Sequence, residues 1–160
     1  MEDVPSRRRD AVALLIALAV CFAASAIGGL ITATSVDGWY QELARPTWNP
    51  PDWVFAPVWT TLFAAMAVAA WLVWRRDRRW TGALTLFAIQ LALNVGWSAL
   101  FFGLRSPGAA LIEIVILVAA IAATAVAFWR RSRPAGALMI PYLLWVGFAT
   151  ALTAAIWRLN

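Results

Sequence analysis

Glu113 is the only formally charged residue inside five long apolar runs that fill most of a 160-residue chain. The runs cover approximately residues 11–34, 53–74, 80–103, 108–129 and 134–157. Each exceeds the roughly 20 residues that a helix needs to cross about 30 Å of hydrocarbon. The fold class that follows is an all-α membrane protein, a bundle of five transmembrane helices forming a single domain. Composition closes off the alternatives. With 63% hydrophobic and 13% charged residues, the chain has too little polar surface for a soluble globule. It is also far too apolar to be disordered. Unbroken apolar runs, rather than alternating ones, argue against a β-barrel.

The arginines between the runs set the sidedness. Arg7, Arg8 and Arg9, then Arg75, Arg76, Arg78 and Arg79, then Arg130, Arg131 and Arg133 fall on the side of the N-terminus. Only Arg45, Arg105 and Arg158 fall on the other. The positive-inside rule then predicts a cytoplasmic N-terminus and an external C-terminus, in what the composition suggests is a bacterial cell membrane. The net charge of +5 is therefore read as membrane anchoring, and no nucleic-acid partner is expected. A signal peptide is the competing reading of Arg7–Arg9 followed by an apolar run and Ala24-Ser25-Ala26. The run continues too far for one, so a retained first helix is expected.

Histidine is absent and Cys21 is the lone cysteine. The commonest metal ligand and general base is missing, so no metal site and no cofactor are predicted. Eleven tryptophans are the positive signal. Trp74, Trp80, Trp129 and Trp157 sit at run ends beside arginines, as an interfacial belt would. Trp39, Trp48 and Trp53 instead crowd the first loop, where Pro46, Pro50 and Pro51 stiffen the backbone. A long aromatic strap on one face reads as a lid over a cavity.

The third run carries a polar stripe. Gln90, Asn94, Trp97, Ser98 and Phe101 share one helical face, which must look into the bundle because amides in lipid need partners. Ala88, Ala92, Gly96, Ala99 and Gly103 form a small-residue face almost opposite, the expected seam of a homodimer. On the first helix Ala17, Cys21, Ser25, Gly28, Gly29 and Thr32 suggest internal packing. On the fifth, Tyr142, Trp145, Ala149 and Thr153 share a side. Glu113 is expected to pair with Arg105 or a hydroxyl near the interface.

Several of these residues form a diagnostic set. They are Trp48-Asn49-Pro50-Pro51, Trp53, Phe55, Pro57 and Trp59-Thr60, then Gln90, Asn94, Trp97-Ser98 and Phe101-Phe102-Gly103, then Pro141-Tyr142 and Trp145. Together they resemble the TspO/translocator protein family, the tryptophan-rich sensory proteins related to the peripheral benzodiazepine receptor. The resemblance implies a five-helix bundle, commonly dimeric, that binds porphyrins such as protoporphyrin IX under the first loop. It implies a role in tetrapyrrole regulation or stress sensing. The pocket it implies takes Tyr40, Trp48 and Pro51 from the loop side and Trp59 and Phe63 from the second helix. Asn94, Trp97, Trp145 and Ala149 complete it.

Arg45 is placed to meet a propionate. Two further activities stay open: light-dependent degradation of protoporphyrin, with Trp59 and Trp145 as the catalytic tryptophans, and transport of porphyrins or other amphiphiles such as sterols. The chain departs from the family pattern at Phe63, where Tyr is frequent, and at Thr153, where Asn is usual. Ala154 stands where the sterol-recognition pattern of animal members needs Tyr.

Overall fold

The computed structural model describes residues 4–160. The elements are α1 (Val4–Ala33), α2 (Trp39–Glu42), α3 (Asp52–Asp77), α4 (Gly82–Ser98), α5 (Pro107–Arg131) and α6 (Arg133–Leu159). A single π-helical stretch, Ala99–Gly103, extends α4. Among the described residues there is no strand, and five helices are long and apolar enough to cross a membrane. They are α1, α3, α4 with its π extension, α5 and α6. The spans run a few residues beyond the apolar runs, because α1, α3 and α5 continue as helix into their flanking arginines. Backbone hydrogen bonding does not stop where the hydrocarbon does.

Local chemistry sets the helix ends. Arg78 adopts left-handed backbone (φ 52°), and its N–H closes α3 on the Trp74 carbonyl at 2.7 Å. Arg105 turns the same way (φ 50°) after the π stretch. Pro107 opens α5, where its missing N–H costs nothing. Ser132 caps α6 by accepting from the Ala135 N–H. Arg75, Arg76, Arg130 and Arg131 lie in the last turns of α3 and α5, where the helix dipole favours cations.

The helices close in the cyclic order α1, α3, α6, α5, α4. On the arginine side the bundle is filled solid. Met66, Val73, Ile121, Phe128 and Met139 are fully buried there, and Phe87 stacks on Phe128 at 5.7 Å. Gly136 lets the α5–α6 turn close tightly: a Cβ at this position would lie 2.7 Å from the Trp129 Cα. Ion pairs lace the same end. Asp10 meets Arg75 (3.2 Å) and Arg78 (2.7 Å), and Arg131 pairs with Asp77. Trp71 Nε1 donates to the Asp10 carbonyl at 2.9 Å and ties α1 to α3.

Toward the first loop, small residues on α1 stand opposite aromatic residues on the other helices, and the packing opens into a cavity.

Candidate functional site

The cavity has a volume of about 440 Å³ and lies between α1, α3, α4 and α6. It is within the roughly 300–1,000 Å³ usual for small-molecule sites. Helix α5 contributes no wall. Helix α3 supplies Phe55, Trp59 and Phe63, and α6 supplies Trp145, Ala149 and Thr153. Helix α4 and its π stretch supply Asn94, Trp97, Ser98 and Phe101. The α1 wall is Ser25, Gly28, Gly29 and Thr32. Those four residues were expected to pack against a neighbouring helix. Only part of that face does so: Cys21 is fully buried, and a Cβ on Gly28 would lie 3.4 Å from Ser98 Oγ. Around Gly29 there is open space.

A buried polar network forms the floor. Asn94 Nδ2 donates to the Tyr142 hydroxyl at 3.0 Å, and that hydroxyl donates to Gln90 Oε1 at 2.8 Å. Gln90 Nε2 reaches Met66 Sδ at 3.8 Å. Gln90 and Tyr142 are wholly shielded from solvent. The polar stripe of the third run thus finds its partner on α6. The pairing orients Asn94 at the cavity edge.

Aromatic rings interlock up the walls. Trp59 lies 5.7 Å from Phe63 and 6.3 Å from Tyr142. Trp145 lies 5.9 Å from Phe55 and 5.5 Å from Phe148. Trp97 stacks on Phe101 at 5.2 Å. Rings held this way lose little entropy when a flat ligand arrives. Two indole donors, Trp97 Nε1 and Trp145 Nε1, are buried without a hydrogen-bond partner among the described residues. Buried donors in that state are costly.

The π stretch is a feature that sequence periodicity does not reveal. It closes with Leu104 N–H on the Ala99 carbonyl at 2.8 Å. Its wider turn buries the adjacent Phe101 and Phe102 together, with ring centroids 4.8 Å apart. Such π insertions are frequent at functional sites. Ser35 Oγ donates to the Phe102 carbonyl at 2.8 Å and docks the end of the α1 segment there.

The first loop covers this end of the bundle. Tyr40 is its inward residue: it is buried, lines the cavity and lies 5.6 Å from Phe102. Burial pushes its phenol above the usual range, an effect opposed by Arg45. Tyr40 hydroxyl donates to Asn49 Oδ1 at 3.2 Å. Arg45 does not line the cavity. Its guanidinium sits over the Tyr40 ring at 5.0 Å, pairs with Asp52 at 3.5 Å and donates to Gln41 Oε1 at 3.0 Å. Trp48 and Pro51 also stay outside the cavity lining. Trp48 is half exposed and meets Phe148 edge-on at 5.7 Å. These three belong to the fabric of the lid.

The lid is also fastened to the end of α6. Asn160 Oδ1 accepts from the Ala44 N–H, and Asn160 Nδ2 donates to the Ala44 carbonyl, both at 3.0 Å. Breaking this two-point clasp should loosen the lid; the one wall segment Asn160 also touches is the last turn of α6, where its Nδ2 donates to the Ile156 carbonyl at 2.9 Å. Asn160→Ala is expected to raise backbone hydrogen exchange across residues 41–49 several-fold while leaving α3, and α6 before its last turn, unchanged. Exchange mass spectrometry reads this, and equal protection in both proteins would show that the clasp holds nothing.

One other expectation comes out differently. Arg105 does not pair with Glu113; its Nε donates to Ser35 Oγ at 3.3 Å, because the left-handed backbone at Arg105 turns it toward the loop. Both Glu113 carboxylate oxygens are buried without a hydrogen-bond partner among the described residues. The small-residue face of α4 is divided. Gly96 lies against Glu113, where a Cβ would come within 3.6 Å of Oε1, and a Cβ on Gly103 would meet Ile31 at 3.4 Å. Ala88 and Ala92 remain exposed on α4, and Ala99 is partly so.

The sequence pattern of the TspO/MBR family matches residues 17–158. The tryptophan-rich protein TspO of Chlorobaculum tepidum is 44% identical over 156 residues, covering 95% of this chain and 98% of that protein. The translocator protein of Homo sapiens is 43% identical over 126 residues, covering 76% and 75% respectively. The tryptophan-rich sensory protein of Cereibacter sphaeroides is 39% identical over 143 residues, covering 89% and 88%.

Proposed function

The chain belongs to the TspO/MBR family, and we propose that it binds a porphyrin of the protoporphyrin IX type in the aromatic cavity beneath the first loop. The observation that carries this reading is the rigid cavity walled by Trp59, Trp97 and Trp145, with Asn94 held at its edge by Tyr142. A flat macrocycle with peripheral carboxylates offers both large ring faces and hydrogen-bond acceptors. The absence of histidine suits a metal-free macrocycle better than an axially ligated haem. The arginine asymmetry supports a cytoplasmic N-terminus, which places the lid on the external face.

Protoporphyrin IX titrated into detergent-solubilised protein in the dark is expected to quench tryptophan fluorescence saturably. Trp97→Phe and Trp145→Phe each shrink an aromatic wall and should weaken binding about 3- to 10-fold. Quenching that never saturates in the wild type would overturn the reading. The same samples under illumination address turnover, which the position of Trp59 and Trp145 on one cavity favours. Loss of the porphyrin spectrum in the wild type, but not in Trp145→Phe, would make the protein an enzyme as well as a binder.

A further inference from the structure

A second, larger hollow lies outside the bundle, where α1 and α4 diverge in front of α3. Its volume of about 1270 Å³ exceeds the usual range for a drug-sized ligand. The groove starts at Arg8 and extends along α1 as far as Ile27, about 28 Å at 1.5 Å per residue. That approaches the thickness of the hydrocarbon core. It exists because α1 and α4 present alanines to each other there, Ala13 and Ala17 on one side and Ala88 and Ala92 on the other. Its lining is otherwise almost entirely apolar, apart from Arg8 and Arg9 at the rim.

Arg8 and Arg9 at that rim differ from the arginines of α3 in their partners. Arg75 and Arg78 are committed to Asp10, and each also packs over an indole, Arg75 on Trp71 and Arg78 on Trp74. Arg8 and Arg9 have no acidic or hydrogen-bonding partner among the described residues, and both are exposed. The rim therefore offers two guanidinium groups, whose planar donor forks match phosphate oxygens. Trp71, Trp74 and Trp80 line the groove at the same level, where amphipathic rings contact headgroups and glycerol esters. Basic pockets between transmembrane helices on the arginine-rich side are a known setting for anionic lipid headgroups.

We propose that this groove is a specific site for an anionic phospholipid. Its phosphate lies between Arg8 and Arg9, and its acyl chains run along α1 and α4. The groove lies on the outer side of α1 and α4 and is distinct from the cavity beneath the loop; among their lining residues the two share only Ala24.

Native mass spectrometry of delipidated protein tests this, with dioleoyl-phosphatidylglycerol and dioleoyl-phosphatidylcholine as the two probes. The first is expected to bind in preference to the second. The double variant Arg8→Gln/Arg9→Gln should lower the apparent affinity for phosphatidylglycerol about tenfold and abolish the preference. Arg130→Gln/Arg133→Gln removes two exposed arginines from the same membrane side but away from the groove, and should keep it. Ala92→Trp fills the groove with the charges intact and should weaken binding of both lipids.

Equal binding of the two lipids would overturn the proposal, as would a preference that survives the loss of Arg8 and Arg9. So would a second copy of the chain as occupant, seen as a dimer that excludes lipid and cross-links efficiently through Ala88→Cys. The arginine variants lie outside the packed core, so their folding is not at stake; circular dichroism confirms that of Ala92→Trp.

Discussion

An Ala149→Trp variant is expected to lose porphyrin binding by at least about 100-fold, a change worth ~2.7 kcal/mol. Ala149 faces the cavity from α6, one turn from Trp145 and one turn from Thr153. An indole there would project into the space between the aromatic walls of α3 and α4. A planar ligand needs that slot to be continuous, and no neighbouring ring is free to retreat because each already packs edge-on or face-on against another. The fold should tolerate the change, since the added atoms occupy a void. Thr153 keeps its hydrogen bond because it is made to the Ala149 backbone carbonyl. Ala151→Trp, on an exposed face of the same helix, is the matched control and should bind normally. Saturable quenching by protoporphyrin in Ala149→Trp, with unchanged midpoint, would move the ligand out of this cavity.

Gly136→Ala should destabilise the bundle by about 1–3 kcal/mol, the usual penalty for overpacking. The added methyl would fall 2.7 Å from Trp129 Cα and Cβ and 2.8 Å from its backbone nitrogen. A flexible side-chain tip could move aside, but backbone cannot without shifting α5 against α6. Gly147→Ala provides the contrast on the same helix. A Cβ there meets nothing within 4 Å, so its melting temperature should match or exceed that of the wild type. Thermal unfolding in detergent, followed by circular dichroism, separates the two. A Gly136→Ala melting curve that overlays the wild type would show that the α5–α6 turn has slack.

The five helices are legible in the sequence because lipid is a demanding solvent: a stretch either lacks charge or it cannot span. The inward faces of α4 and α6 are legible for the same reason, since Gln90, Asn94 and Tyr142 have to find polar company somewhere. Which company is not legible. The Asn94–Tyr142–Gln90 chain joins helices that no local pattern connects. Arg45 illustrates the opposite difficulty. A cation beside an aromatic loop suggests a ligand contact, yet the nearby Asp52, Gln41 and Tyr40 satisfy it first. The α1 wall is not legible as a wall, because small residues look alike whether they admit another helix or leave open space. The π stretch shifts the backbone by a fraction of a turn, too little to disturb a hydrophobic pattern.

The uneven filling of the bundle along the membrane normal has an evolutionary consequence. The compact half near the arginines holds the helices together, and the hollow half beneath the loop contributes much less cohesion. Substitutions around the cavity can therefore reshape it at small risk to folding, while α5, which lines none of it, holds the architecture. One scaffold divided in this way can vary its interior and keep its outline unchanged.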